Sequence, residues 1–185
     1  IISVDTETSS LDPQVAELIG ISLSYAKNIS FYIPVGHKNI KSLNKDFVVK
    51  KLKPILEDPS IKKVGQNIKY DFIILKKYGV ELNSVEDTML LSYTLDAGNN
   101  RHNMDTLSEL HLNHKTISYK DLVGSGKKQL KFSEVDVDKA TEYAAEDADV
   151  TLRLYEILSE RVSDEKLSQI YEAFEKPMIK ILSKL

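Results

Sequence analysis

The sequence contains no cysteine, which excludes disulfides and cysteine-based zinc sites. It also lacks any run approaching the roughly 18 apolar residues that a membrane span needs. The opening residues, Ile1-Ile2-Ser3-Val4-Asp5, have no basic stretch and no long apolar segment, so they do not read as a signal peptide. They read as the first strand of a core. The closing stretch, residues 179–185, stops inside an amphipathic helical pattern, so both ends are expected to be cuts in a longer polypeptide. A cytoplasmic location is compatible with these absences. Arginine is scarce, with only Arg101, Arg153 and Arg161 among 25 basic residues. No charge sign dominates either. A net charge of −3 argues against a protein that coats nucleic acid by bulk attraction. It leaves open an enzyme that meets phosphates through bound cations. No repeat, low-complexity tract or linker interrupts the chain. What is present is ordinary: 42% hydrophobic and 29% charged residues over a length that suits one globular domain spanning 1–185.

Short β-branched apolar runs predict strands at 1–7, 18–25 and 29–35, the last two around Ala26-Lys27-Asn28, as an antiparallel three-stranded start. Helical spacing follows at 45–57, with Pro54 expected to disturb the last turn. A short strand at 61–65 precedes a helix at 67–78, closed by Gly79. Short helices are expected at 87–95 and 104–112. Residues 113–135 are the least regular, and five lysines stand against one aspartate between 115 and 131. This lysine stretch reads equally as a phosphate-steering track or as a solvated loop. The longest helical pattern is 137–161, with Asp138 as N-cap, and a last helix from about 164 carries an expected kink at Pro177. Strands first, then strands mixed with helices, predict an α/β fold with one mixed central sheet flanked by helices.

Three acidic groupings carry the chemistry. Asp5 and Glu7 end an apolar strand at i and i+2, so both project from one face. Side by side they repel unless a cation lies between them, and hard divalent cations prefer such oxygen ligands. Asn67 and Asp71 open a helix at i and i+4, which adds a third carboxylate or simply caps that helix. Tyr143 and Asp147 share a helix face at i and i+4, with Ala144 and Ala145 between them leaving room for a close neighbour. Each grouping alone reads more simply as solvated acids or capping. Their order is more specific than any one of them.

Asp-x-Glu, then Asn-x-x-x-Asp about 60 residues on, then Tyr-x-x-x-Asp about 70 further, resembles the motif order of the DEDD exonuclease superfamily, and the tyrosine resembles its DEDDy branch. The segments 63–71, 101–107, 114–117 and 143–152 are similar to the exonuclease segment of bacterial DNA polymerase I, and the likeness runs over essentially the whole chain. The tail around Glu175-Lys176-Pro177-Met178 resembles the passage into a polymerase domain. The resemblance implies a ribonuclease H-like fold and a 3′-5′ exonuclease that removes 5′-mononucleotides from single-stranded DNA ends, as the proofreading module of a polymerase. It implies two divalent metals, Mg²⁺ or Mn²⁺ with Zn²⁺ possible at one site. Asp5, Glu7 and Asp147 would hold the first, and Asp5 would bridge to a second supported by Asp71, largely through water. Two such metals stabilise the attacking and leaving oxygens of an in-line displacement. Tyr143 would orient the attacking water.

The same resemblance implies substrate contacts at Thr8, Leu11, Gln66, Asn67, Tyr70, Arg101, Met104 and Tyr119. Leu11 would wedge between terminal bases and Tyr119 would stack on one. Plainer readings stand beside these: Leu11 as loop packing and Met104 as core. His102 and His114 read as structural or surface residues. Two other functions compete. An RNA-trimming exonuclease of the same superfamily would use identical chemistry. A spacer domain without activity would have lost metal ligands, whereas Asp5, Glu7, Asp71, Tyr143 and Asp147 are all present. The partners implied are a DNA 3′ end and a polymerase domain of the same polypeptide, in a monomer without membrane contact.

Overall fold

A computed structural model describes residues 1–184. Its centre is a mixed five-stranded sheet of order β3-β2-β1-β4-β5. Strands β1 (Ile2–Thr8), β2 (Leu18–Ala26) and β3 (Ile29–Pro34) pair antiparallel, as their spacing predicts. The two short strands β4 (Lys63–Gly65) and β5 (Val85–Asp87) add in parallel. Strand β5 has no counterpart in the sequence reading, which expects a helix from residue 87; β5 runs without a break into the helix Thr88–Asp96, so no turn signal separates them.

Helices pack around the sheet: α1 (Lys45–Glu57), α2 (Lys69–Lys77), α3 (Thr88–Asp96), α4 (Met104–Leu112), α5 (Tyr119–Val123) and α6 (Val137–Asp164). One apolar cluster joins Val4, Leu18 and Ile21 of the sheet to Val48 and Leu56 of α1 and to Phe72 and Leu75 of α2. A second joins Val64 to Leu91 of α3, Leu107 of α4 and Val150, Leu154 and Leu158 of α6. On β2, Leu18 and Ile21 join the first cluster while Ile19 packs with Ala140 and Ala144 of α6, so apolar residues lie on both sides of this strand. Alternation along β1 then decides the site. Ser3 donates to the Ala148 carbonyl of α6 at 2.6 Å, so Asp5 and Glu7, two and four residues on, face α6 as well.

Several local expectations change. Asn67 is not part of a helix; it sits at φ 57, and α2 starts at Lys69. The long helix is capped by Asp136, whose carboxylate accepts from the Asp138 and Lys139 N–H groups, not by Asp138. Pro54 is absorbed within α1. Beyond α6 come a short turn (Ser168–Ile170), a π-helical turn (Tyr171–Glu175) and a final helix (Lys176–Leu182). The irregularity expected at Pro177 therefore lies upstream of it, and Pro177 itself takes a first-turn position where a missing N–H is tolerated. The segment 113–135 contains α5, unannounced by any long periodicity. The end of α2 is as expected: Gly79, at φ 75, donates to Lys76, and Val80 donates to Leu75.

The sheet has one position with no room for a side chain. A Cβ on Gly20 would meet the Tyr32 ring and hydroxyl at 2.2–2.3 Å. Tyr32 is buried and cannot swing away freely. Gly20→Ala should therefore destabilise the fold by about 1–3 kcal/mol. Urea denaturation will read this directly, and an unchanged midpoint would mean that the Tyr32 ring is mobile.

Candidate active site

The three motifs converge. One carboxylate oxygen each from Asp5, Glu7 and Asp147 all lie within 4.8 Å of one another. Asp5 and Glu7 reach this point from β1, and Asp147 comes from α6, where the small Ala144 and Ala148 are fully buried. Asp71 arrives from α2 and is used differently. Strand β4 pairs with β1 only at Ile2 and Ser3, so the Thr6 N–H has no strand partner on that side. The Asp71 carboxylate takes it at 2.8 Å and also accepts from the Thr6 hydroxyl at 2.5 Å. Asp71 thus satisfies the free edge of β1 while standing close enough to Asp5 and Glu7 for their charges to interact.

Electrostatically this is a strained group. Burial pushes the Asp5 carboxyl up to about 6, with the Ser22 hydroxyl at 3.4 Å pulling slightly the other way. Glu7 lies well above the usual carboxylate range through burial and then the charges of Asp5, Asp147 and Asp71. Asp71 and Asp147 are raised in the same way, by burial first and by Asp5 next. The tyrosine one turn before Asp147 is held protonated: burial and the charges of Asp147, Glu7 and Asp5 all oppose ionisation of Tyr143. Four acids, Asp5 half-buried and the others more deeply set, have no basic partner in the cluster among the described residues; they form a donor set of hard oxygens alone, and such a set fits divalent cations.

Above this cluster opens a cavity of about 720 Å³, lined by Asp5, Glu7, Asp71 and Tyr143 at one end and by Thr8, Leu11, Asn67, Tyr70 and Tyr119 around the rest. Asp147 joins the cluster from α6 without lining the cavity itself. The hydroxyls of Tyr70 and Thr8 lie 2.5 Å apart, and both bond the Ser10 carbonyl, which pins the loop bearing Leu11. Leu11 itself is 96% exposed at the rim, so it contributes nothing to loop packing. Tyr119 is 45% exposed and stacks on the buried Phe132, with ring planes 5° apart. Its ring also meets Tyr143 edge-on. Gln66 lines the cavity, yet its amide is occupied inside the protein, donating to the His102 carbonyl and accepting from the Thr88 hydroxyl.

Two expected contacts stand elsewhere. Arg101 and Met104 do not line the cavity; Arg101 is exposed, and Met104 packs with the second apolar cluster, its sulfur accepting from Thr151. His102 bonds Ser92 and His114 bonds Glu146, each at 2.8 Å, and neither joins the carboxylates. Lys115, Lys120, Lys128 and Lys131 are exposed; the side chain of Lys127 lies outside the described residues. Gln129 lines the cavity and was invisible in the sequence, where nothing separates it from its irregular surroundings. Asp87, whose carboxylate accepts from the Asn67 and Ile68 N–H groups, did carry a signal: Asp87-Thr88 immediately precedes an apolar helical run, the ordinary mark of an N-cap.

The family model for the 3′-5′ exonuclease of A-type DNA polymerases matches residues 1–163. The chain belongs to this 3′-5′ exonuclease family. The exonuclease chain is similar to DNA polymerase I of Rhizobium leguminosarum, at 44% identity over an alignment covering 100% of this chain and 20% of that protein. It is similar to DNA polymerase I of Pseudomonas aeruginosa at 40% identity, covering 100% of the chain and 21% of that protein. It therefore spans about a fifth of the length of these curated relatives. Among solved structures it shares its fold with Brucella melitensis NrnC, with a TM-score of 0.73 at 23% identity, covering 99% of this chain and 81% of that one. Exonucleases of this family are nuclease hydrolases that depend on divalent metals, and the buried oxygen cluster of this exonuclease domain suits that dependence. Among the described residues, no helix is long and apolar enough to cross a membrane.

Proposed function

We propose that the chain hydrolyses the last phosphodiester bond at the 3′ end of single-stranded DNA, releasing 5′-mononucleotides, as the proofreading module of a bacterial DNA polymerase I. The observation that carries this reading is the meeting of Asp5, Glu7 and Asp147 within 4.8 Å beside a cavity roomy enough for nucleotides. In this reading Asp5, Glu7 and Asp147 would hold one divalent metal, and Asp71 beside Asp5 would support a second; Mg²⁺ or Mn²⁺ would suit both, and Zn²⁺ the tighter site. Metals bound there would supply charge stabilisation to the attacking and departing oxygens.

The chain's own groups then divide the remaining work. Tyr143, held protonated with its hydroxyl turned to the Asp147 carboxylate, offers its oxygen as an acceptor to the attacking water and so orients it. Tyr119, backed by Phe132, offers a flat face for a base. Leu11 at the rim inserts beside the terminal base and recovers the cost of its exposure. Thr8, Asn67 and Tyr70 line the path of the terminal nucleotides. Gln66 acts by bracing the loop around His102, Arg101 meets the DNA strand outside the cavity, and Met104 supports the fold from the second apolar cluster. The partners proposed are a DNA 3′ end and a polymerase domain of the same polypeptide, in a cytoplasmic monomer.

The test is a 3′-end assay. A labelled single strand should be shortened to a ladder with Mg²⁺ or Mn²⁺, and chelator should stop it. An RNA strand of the same sequence should be cut more slowly. No ladder in either metal would support an inactive spacer, and faster loss of RNA would move the substrate to RNA.

A further inference from the structure

We propose that Asp87 is a positioning residue for the exonuclease reaction: its carboxylate holds Asn67 and the start of α2, and thereby sets where Asn67, Tyr70 and Asp71 stand at the cavity. The inference rests on the exonuclease reading above. Asp87 ends β5, opposite Gly65, and is only 1% exposed. An N-cap aspartate needs one N–H bond to do its work, and Asp87 has that bond, from Met89 at 2.9 Å. The same carboxylate accepts two more, from Asn67 at 3.0 Å and Ile68 at 3.0 Å. Those two belong to the segment that enters the pocket, not to the helix that Asp87 caps.

The second pair matters because of where Asn67 sits. At φ 57 it occupies the left-handed region, which a residue with a side chain adopts only when its surroundings hold it there. No side-chain bond caps α2 from within its own segment, since its N-cap residue is Ile68. Asp87 supplies what that end lacks. Packing holds the arrangement from the other side: a Cβ on Gly65 would come within 2.7 Å of Ile68, so the start of α2 presses directly on the end of β4. Asp87 is itself anchored. Its N–H donates to the buried Tyr171 hydroxyl at 3.2 Å, and that hydroxyl donates to Glu86 at 2.9 Å. The pocket wall is therefore tied to β5 by the Asp87 carboxylate, and from there to the π-helical turn near the chain's end by the Asp87 N–H. Asp87 lines no part of the cavity and acts only through the segment that it holds.

Two variants separate this role from plain stability. Asp87→Asn keeps the shape but turns an N–H donor toward a backbone N–H. Asp87→Ser still caps α3 through Met89 but is too short to hold Asn67 and Ile68, which preserves folding while releasing the pocket. Asp149→Asn is the control. Asp149 is another buried aspartate that accepts the N–H of a left-handed asparagine, Asn28, in the β2–β3 turn away from the cavity. All chains are assayed on a labelled DNA 3′ end with saturating Mn²⁺, well below the melting temperature of each. The Asp87 variants should lose about 10- to 100-fold in kcat/KM, the usual cost of misplacing a reacting group by about 1 Å, while Asp149→Asn stays within about twofold of wild type. A folded Asp87→Ser chain as active as wild type would overturn the role of Asp87. A wild-type chain without activity would instead sink the exonuclease reading on which it rests.

Discussion

Asp5→Asn should cut nuclease turnover by roughly a thousandfold, a loss of about 4 kcal/mol of transition-state stabilisation, and should at the same time raise the melting temperature of the metal-free chain. The two effects have opposite signs for one reason. Asp5 is the common neighbour of the cluster: its charge acts on Glu7, Asp71, Asp147 and Tyr143. An amide in its place removes repulsion from the folded state and, with it, the ligand best placed to serve two cations. Asp71→Ala should abolish cleavage equally but lower the melting temperature, because it strips the acceptor from the Thr6 N–H and hydroxyl at the free edge of β1. Single-turnover cleavage and thermal melts in chelator read both effects. An Asp5→Asn chain that cleaves at wild-type speed would remove the cluster from the chemistry altogether.

Adding Mn²⁺ or Mg²⁺ at about 100 times its dissociation constant should raise the melting temperature by roughly 5–10 °C at pH 8, and by far less at pH 5. The sign follows from the carboxylates. Each is harder to ionise in the folded chain than in the unfolded one. Below pH 3.8 Asp5 is protonated in both states and its burial has no pH-linked cost. As pH rises from 3.8 through about 6, the unfolded chain releases the proton first, and the metal-free fold loses stability. Glu7, Asp71 and Asp147, raised further, extend that loss to higher pH. A divalent cation competes with protons for the same oxygens, so it offsets this loss only where the acids are ionised. Differential scanning fluorimetry across pH with metal or chelator will show the trend. A gain that is equal at pH 5 and pH 8 would place metal binding at groups other than these.

Much of the architecture could be read without coordinates. The first three strands and helices α1, α3 and α4 fall within a residue or two of their expected bounds, because long runs at period 2 or 3.6 report which face is buried. Strand β5 was hidden because it runs directly into α3, whereas β4, of the same length, stands apart from the helix after it. Caps were harder. Asp136 and Asp138 are equally good capping residues by type, and only the backbone geometry shows that Asp136 takes the bonds. Asn67 looked like a helix opener, and the structure puts it instead in a left-handed turn held by a carboxylate twenty residues away.

The candidate site divides along the same line. By itself, the sequence determined the chemistry available: three acidic motifs in a recognisable order, an aromatic one turn before the last acid, and no cysteine or arginine-rich surface to support other mechanisms. Side-chain identity and local periodicity are properties of short segments, so they survive in one dimension. Tertiary structure alone decided which carboxylates meet. Asp5 and Glu7 join Asp147 because β1 turns its odd-numbered face to α6, whereas Asp71 bonds the free edge left where β4 stops short. Strand order, the length of β4 and the bond between Asp87 and Asn67 are long-range pairings, and no local pattern encodes which distant groups will be brought together.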